Sequence, residues 1–140
     1  MSACLLGTTC RYDGRGNENS EVTALLQRKD LCLIPVCPEQ LGGLPTPRIP
    51  SERRSNLVIN RAGEDVTAYF CRGAEQALRI AKLYGCEIAV LKERSPSCGC
   101  GWIYDGTFSG NLTDGDGITA ELLLQNGITV VGESQIQDIL

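Results

Sequence analysis

The chemically richest part of this sequence is residues 92–101, KERSPSCGCG, where charges, hydroxyls and thiols follow directly on the apolar run 87–91. An open α/β sheet places its chemistry in loops of this kind, beyond the carboxyl ends of its strands. Two further cysteines have a similar setting, one directly after the apolar run 31–36 and one within the short run 3–6. If the three runs are parallel strands of one sheet, adjacent strands lie about 4.8 Å apart and the thiols converge on one edge. The cysteines concerned are Cys4, Cys37 and Cys98.

Three convergent thiolates are a ligand set for a soft metal centre, either zinc or iron–sulfur. Structural zinc sites commonly take four ligands from paired C-x2-C knuckles, and this chain has no such pair. Single cysteines far apart along the chain favour a cluster in which one iron has no protein ligand. Such an iron is a Lewis acid toward a soft substrate atom such as sulfur. The alternative is that these cysteines are small buried hydrophobic residues, the usual role of a free cysteine.

Three oxygen-bearing side chains lie close to these cysteines in the sequence. Glu39 comes two residues after Cys37, and a carboxylate in a partly desolvated site can have its pKa raised toward neutrality and take a proton from water. Ser95 and Ser97 are candidates to position a substrate or to relay a proton. The alternatives are a solvated acid for Glu39 and turn hydroxyls bonded to the backbone for the serines. The chain has no histidine, which removes the usual general base.

The remaining cysteines have separate interpretations. Cys98 and Cys100 are a possible redox pair, although a disulfide across a single glycine forms a strained ring. Cys10 is either a fourth ligand or a loop thiol, and we favour the loop thiol. The cysteines that we expect to pack against the core or a helix side are Cys32, Cys71 and Cys86.

Length and composition limit the class of protein. A chain of 140 residues that is 42% hydrophobic and 21% charged predicts one globular domain, residues 1–140. Its apolar runs are too short to cross a membrane, and residues 1–7 lack the basic and apolar parts of a signal peptide. We therefore expect a cytoplasmic protein, in which eight cysteines serve metal binding or catalysis more often than a disulfide framework. A net charge of −4 gives no support for duplex nucleic acid as a partner.

The elements that must position these residues alternate along the chain. Predicted strands are at residues 3–6, 31–36, 87–91 and 128–131, and predicted helices begin near residues 20, 65 and 117. Right-handed crossovers make an open, mainly parallel sheet with helices on both faces the natural solution. The simplest such fold is Rossmann-like, with strand order 2-1-3-4.

The segment 37–56 is the longest predicted loop, because four prolines and two glycines exclude regular structure from most of it. Its arginines are solvated charges or partners of an anionic group, and we favour the first interpretation; they are Arg48, Arg53 and Arg54. A small β arm is predicted to follow at residues 57–63, and residues 133–140 are expected to add a helical turn.

Several short motifs occur along the chain: SACLLG at 2–7, RYDG at 11–14, CPE at 37–39, GGLPTPR at 42–48, SPSCG at 95–99 after Lys92, YDGTF at 104–108 and GDG at 115–117. Taken jointly they resemble the DUF523 family, which includes stand-alone thiouracil desulfidases. The resemblance covers nearly the whole chain.

The resemblance implies a [4Fe-4S] cluster held by Cys4, Cys37 and Cys98, with the fourth iron open to substrate. It further implies that the sulfur of a thiolated pyrimidine binds that iron, that water activated by Glu39 attacks the ring carbon, and that sulfur leaves as hydrosulfide. Ser95 is the second catalytic group that the resemblance implies, with Ser97 as the alternative. The implied partner is a small thiolated nucleobase such as thiouracil, and the implied product is uracil.

Two other functions are compatible with the residues by themselves. One is a non-enzymatic metal-binding or sulfur-carrying module, which would be loaded with zinc and contain no iron. The other is a thiol redox protein, whose activity would depend on Cys98 and Cys100 and not on Cys4 or Cys37. The sequence carries no prediction of an oligomeric state.

Overall fold

Helices and short strands alternate along residues 1–139, the part of the chain that the computed structural model describes, in a mixed α/β fold. The α-helices are α1 (Ser20–Ala24), α2 (Pro38–Leu41), α3 (Thr67–Leu83) and α4 (Ile118–Gln125). The strands are β1 (Ser51–Arg54), β2 (Leu57–Asn60), β3 (Ile88–Leu91), β4 (Trp102–Tyr104), β5 (Leu112–Asp114) and β6 (Thr129–Gly132). Short 3-10 helices occupy Ala3–Leu6, Leu25–Gln27 and Glu133–Asp138.

The three predicted helices begin close to their predicted positions, as α1, α3 and α4, whereas α2 was not predicted. The cap of α1 is Asn19, whose side chain accepts the N–H groups of Glu21 and Val22 at 3.0 and 3.1 Å. The long helix α3 ends before Gly85, whose φ of +63° suits a residue without a side chain. The predicted turn at residues 133–139 is also helical, and residue 140 lies outside the described part.

The strands form three separate two-stranded sheets instead of the one open sheet that we predicted. β3 and β6 pair in parallel, whereas β1 with β2 and β4 with β5 are antiparallel. Two predicted strands are wrong: residues 3–6 form a 3-10 helix, and residues 31–36 contribute only the isolated bridge of Val36 with Ser2. The reason is local, since the N–H of Leu5 donates to the carbonyl oxygen of Ser2 at 3.1 Å and bends the chain away from its neighbours.

Backbone hydrogen bonds still connect the ends of these segments to β3. The N–H of Ser2 donates to the Val90 oxygen at 2.9 Å, and the N–H of Ala3 donates to the Val36 oxygen at 2.8 Å. Residues 1–3 therefore lie between residue 36 and β3. Cys4, Cys37 and the loop after β3 consequently lie at the same end of β3.

The core lies on both sides of β3, which explains why this strand is apolar throughout. Val90 packs on one side with the buried side chains of Leu5 and Ile136. Ala89 and Leu91 pack on the other side, against the side chains of α4. Within residues 1–139, no helix combines the length and the apolar composition needed to cross a bilayer.

The segment 37–56 is more regular than the predicted loop, because it contains α2 and β1. α2 packs on α3 with direct backbone contact: a Cβ at Gly73 would lie 1.9 Å from the carbonyl oxygen of Pro38, and a Cβ at Gly42 would lie 2.0 Å from that of Tyr69. Glycine at both positions therefore permits the close approach that fixes α2. This contact sets the positions of Cys37 and Glu39 at the start of α2.

Candidate active site

A cavity of about 520 Å³ lies at the carboxyl end of β3, within the range of about 300–1,000 Å³ that is usual for small-molecule sites. Its wall draws on all three stretches that carry the candidate cluster ligands. Candidate site residues in the wall are Cys4, Cys37, Glu39, Ser95 and Cys98. The chain segments that supply them are far apart in sequence, and they come together at the end of β3 described above.

The side chains of Cys4, Cys37 and Cys98 lie close together, so that in the ionised, thiolate form each repels the other two. Burial raises the pKa of Cys4 to about 12, and repulsion from Cys98, Cys10 and Cys37 adds to the rise. Burial also raises the pKa of Cys98 to about 11. Three thiolates in this cavity therefore require a compensating positive charge.

Cys98 is held by the turn that follows β3 and by the start of α4. The hydroxyl oxygen of Ser95 accepts the N–H groups of Ser97 and Cys98, both at 3.1 Å. The backbone N–H of Thr119, in the first turn of α4, donates to the carbonyl oxygen of Ser97 at 2.8 Å. N–H groups in the first turn of a helix have no partner within the helix, so this bond provides one. A Cβ at Gly117 would lie 2.3 Å from the Ser97 carbonyl carbon, so glycine permits this docking.

The donor set suits a cluster better than a single ion. Of the side chains in residues 1–139, no three or more Cys, His, Asp or Glu surround a point that one metal ion could occupy. A [4Fe-4S] cluster binds each thiolate through a different iron, so its ligands need not meet at a point. Three neighbouring thiols that share one cavity, two of them buried and that of Cys37 half-buried, therefore fit such a cluster, whose iron atoms would supply the positive charge.

Glu39 and Arg48 form an ion pair in the same wall, with 3.1 Å between Oε2 and Nη2. Burial raises the pKa of Glu39, and the neighbouring Arg48 charge opposes that rise. The Arg48 side chain is only 4% exposed, and its Nη2 also donates to the Cys10 carbonyl oxygen at 2.8 Å. Our prediction that Arg48 is a solvated charge is wrong, because α2 and the Cys10 loop enclose it. A half-buried carboxylate that faces the cavity and is held in this way has the environment of a general base.

Arg53 and Arg54 make partners outside the thiol cluster. Arg53 pairs with Glu121 at 2.8 Å, and Arg54 Nε donates to the Gly106 oxygen at 2.6 Å. Arg53 and Arg54 thus tie the β1–β2 hairpin to α4 and to the loop after β4.

The two candidate serines have different surroundings. Ser95 lines the cavity, and its oxygen already accepts two backbone N–H groups, so its own proton is free to point elsewhere. Ser97 is 1% exposed and absent from the cavity wall, and its hydroxyl lies 3.0 Å from that of Thr119. The geometry thus separates two residues that the sequence motif treats alike.

The remaining cysteines are dispersed. Cys10 is buried in the cavity wall, where the Cys37 thiol lies 3.7 Å from its carbonyl oxygen. Cys100 points away from the cavity and lies 3.6 Å from the Val130 oxygen, so it does not face the same space as Cys98. Cys32 and Cys71 are exposed, which corrects our expectation that they pack against the core.

Four polar or aromatic residues of the cavity wall were not among the candidate site residues of the sequence analysis. They are Glu52, Arg61, Tyr104 and Phe108. Tyr104 and Phe108 belong to the YDGTF motif, which was noted only as part of the family resemblance. Glu52 and Arg61 had no sequence signal, since they lie on a hairpin whose position depends on contacts distant in sequence.

The fold and the cavity define a class: a mixed α/β protein with three neighbouring thiols, suited to an iron–sulfur cluster, beside a half-buried carboxylate. The chain belongs to the 2-thiouracil desulfurase family, whose model matches residues 1–135. This match confirms the family resemblance carried by the motifs.

Two relatives cover essentially the same length. The uncharacterized protein YbbK of Bacillus subtilis (strain 168) is 40% identical over 150 residues, an alignment that covers 100% of this chain and 98% of YbbK. A solved structure of the [4Fe-4S]-dependent thiouracil desulfidase TudS is 46% identical, with a TM-score of 0.91, and the match covers 98% of this chain and 91% of that chain.

Proposed function

We propose that this protein is a [4Fe-4S]-dependent desulfidase that converts a thiolated pyrimidine such as thiouracil to uracil and hydrosulfide. The observation that carries the proposal is the convergence of three thiols and the Glu39 carboxylate on one cavity. Family membership and the 46% identity to a thiouracil desulfidase support it.

Cys4, Cys37 and Cys98 would hold the cluster. When bound, the cluster supplies a Lewis-acidic iron without a protein ligand, which is suited to the soft sulfur of a thiocarbonyl group. The reaction needs no external oxidant or reductant. The water oxygen bonds to the ring carbon and becomes the carbonyl oxygen of uracil, and both bonds from that carbon to sulfur break with their electron pairs going to sulfur. One water proton goes to a base, and the other leaves on sulfur as hydrosulfide.

Glu39 would take the proton from the attacking water. Burial favours this role because it raises the pKa of the carboxyl group, and Arg48 keeps the carboxylate in one orientation. We propose Ser95 rather than Ser97 as the second catalytic group. Ser95 lines the cavity with its hydroxyl proton free to reach a bound ligand, whereas the Ser97 hydroxyl is buried outside the cavity wall, beside that of Thr119.

We also infer that residues 1–140 form one domain. The spatial order of residue 36, residues 1–3, β3 and β6 supports an arrangement related to the Rossmann-like order 2-1-3-4, in which the first two positions are held by isolated hydrogen bonds instead of strands. We propose a cytoplasmic location and a small thiolated nucleobase as the partner, with no duplex nucleic acid, in line with the net charge of −4.

The test is anaerobic purification and cluster reconstitution, followed by an iron and sulfide count and by turnover of 4-thiouracil and 2-thiouracil. We expect about four irons per chain, visible absorption from the cluster, and formation of uracil and sulfide. An iron-loaded protein that turns over neither compound would reject the proposal. One equivalent of zinc without iron would instead support the non-enzymatic metal-binding module.

A further inference from the structure

A second carboxylate, that of Glu52 on β1, lies in the wall of the same cavity. The residue is 8% exposed, and its Oε1 accepts the backbone N–H groups of Gly106 at 3.0 Å and Phe108 at 3.1 Å. Its Oε2 makes no hydrogen bond or ion pair within residues 1–139. Among the side chains of residues 1–139, Arg48 Nε is the only fully buried nitrogen or oxygen atom without a hydrogen-bond partner. Glu52 Oε2 also has no partner, so it must be partly accessible.

The environment of Glu52 fixes where Oε2 lies. The two N–H groups on Oε1 tie the carboxylate to residues 105–110, the loop after β4. Phe108 has a φ of +55°, which is costly for a bulky side chain, and the Arg61 guanidinium carbon lies 5.6 Å from its ring centroid. These contacts hold the loop and the carboxylate in one arrangement, with one oxygen occupied and the other free.

An acceptor that is open to a cavity is hydrated while the cavity is empty, and a ligand that displaces the water must supply a donor in its place or leave the acceptor unpaired. Pyrimidine rings of the uracil type carry N–H groups beside their carbonyl or thiocarbonyl groups. An N–H group that meets a carboxylate makes a charge-assisted hydrogen bond. Tyr104 and Phe108 in the same wall offer aromatic faces against which a planar ring can pack.

We propose that Glu52 determines specificity by accepting a ring N–H of the pyrimidine through Oε2. The proposal rests on the proposed function, because it concerns the same cavity and the same class of ligand. A site built to accept an N–H group discriminates strongly against an analogue that lacks it, since the buried acceptor is then left unpaired. Glu52 therefore selects thiolated bases with a free ring N–H and disfavours those in which that nitrogen carries a methyl group.

The central experiment is the substitution Glu52→Gln, which replaces one carboxylate oxygen with an amide nitrogen and retains the other oxygen. In Glu52→Gln the amide oxygen can still accept the N–H groups of Gly106 and Phe108, but the amide nitrogen in the Oε2 position donates instead of accepting. Hydrogen bonds to charged groups imply a loss of about 10- to 100-fold in kcat/KM for 4-thiouracil, mainly through KM. Glu64→Gln, which removes a carboxylate from the exposed turn after β2, is the matched control and should leave kcat/KM unchanged.

A structural role for Glu52 would also lower activity, so the assay includes 1-methyl- and 3-methyl-4-thiouracil. We expect one of the two methylated bases to be converted at least about tenfold less efficiently than 4-thiouracil by the wild-type holoenzyme. That penalty should disappear in Glu52→Gln, because the variant no longer accepts the N–H group. An equal penalty in both proteins, or no penalty for either methylated base, would overturn the proposal.

A binding measurement separates failure of this proposal from failure of the proposed function. Equilibrium dialysis of the holoprotein with uracil, 1-methyluracil and 3-methyluracil requires no desulfidation. We expect uracil to bind more tightly than one of the methylated forms in the wild type, and the difference to vanish in Glu52→Gln. If this pattern holds while thiouracil is not converted, the site assignment stands and the reaction is wrong. Equal binding of all three bases by the wild type, or no binding of uracil, would refute the role of Glu52.

Discussion

Arg48 Nη2 lies 3.1 Å from Glu39 Oε2, so the carboxylate proposed as the general base is paired with a guanidinium that is almost wholly enclosed. The same nitrogen donates to the Cys10 carbonyl oxygen at 2.8 Å. One buried arginine therefore connects α2, which carries Cys37 and Glu39, to the loop that follows the first 3-10 helix. Both the protonation of the base and the shape of the cavity depend on this contact.

The first prediction concerns the pH dependence of desulfidation. Glu39 can take a proton only when it is ionised, so activity should fall on the acidic side as the carboxylate becomes protonated. Arg48 stabilises the charged form and lowers the pKa that burial raises. Arg48→Gln should therefore move the acidic limb of the kcat profile to higher pH, by about one pH unit or more.

Arg48→Lys is the matched variant for this measurement, because it retains the positive charge but loses the forked contact with Glu39 and the Cys10 carbonyl oxygen. We expect its acidic limb to lie between those of the wild type and Arg48→Gln. Identical pH profiles for all three proteins, at equal iron content, would contradict the coupling of Arg48 to the base.

The second prediction concerns the cysteines. Cys4→Ser, Cys37→Ser and Cys98→Ser should each abolish stable cluster binding, because a cluster already left with one iron open would keep only two protein ligands. Cys32→Ser and Cys71→Ser, at exposed positions, are the controls and should retain full iron. Iron and sulfide per chain, with the visible spectrum, provide the measurement.

The third prediction separates Cys10 from these ligands. Cys10 is buried beside Cys37, yet it enters the Arg48 contact through its carbonyl oxygen and not through its thiol. Cys10→Ser preserves that backbone oxygen and should keep the iron content within about a tenth of wild type. Loss of iron in this variant would make Cys10 a ligand and would leave no iron open to substrate.

The fourth prediction distinguishes the two serines. Ser95→Ala should lower kcat by about 100-fold or more, in the range typical of a lost proton-transfer group. Ser97→Ala removes a buried hydroxyl pair with Thr119 and should reduce the free energy of unfolding by about 1–2 kcal/mol with little change in kcat. Turnover per iron-loaded chain and urea unfolding curves test both. A large kcat loss in Ser97→Ala at unchanged stability would reverse the assignment.

The fifth prediction tests the contact between α2 and α3. Gly73→Ala places a Cβ 1.9 Å from the Pro38 oxygen, so α2 must shift and take Cys37 and Glu39 with it. We expect the free energy of unfolding to fall by about 1–3 kcal/mol and iron retention to fall with it. Gln76→Ala, on the exposed face of α3, is the control and should change neither. An unchanged unfolding curve for Gly73→Ala would show that the backbones are not in contact.

The sequence by itself determined the features that depend on local composition and spacing. The apolar runs that became β3 and β6, the placement of Cys37 directly after one apolar run and that of Cys98 in the loop after another were all readable, because burial and turn formation leave a pattern in the chain. The motifs around these cysteines also indicated the family. These signals identify which residues are buried and where the chain turns.

Only the tertiary structure decided which segments pair and which charges are enclosed. Residues 31–36 are as apolar as a central strand, yet a strand needs a partner along its length, and the 3-10 bend after Ser2 removes that partner. Arg48 and Glu52 look like solvated charges in sequence because a charge has no burial pattern of its own. Their enclosure depends on the close approach of α2 to α3 and on the loop at residues 105–110, that is, on contacts between positions distant in the chain.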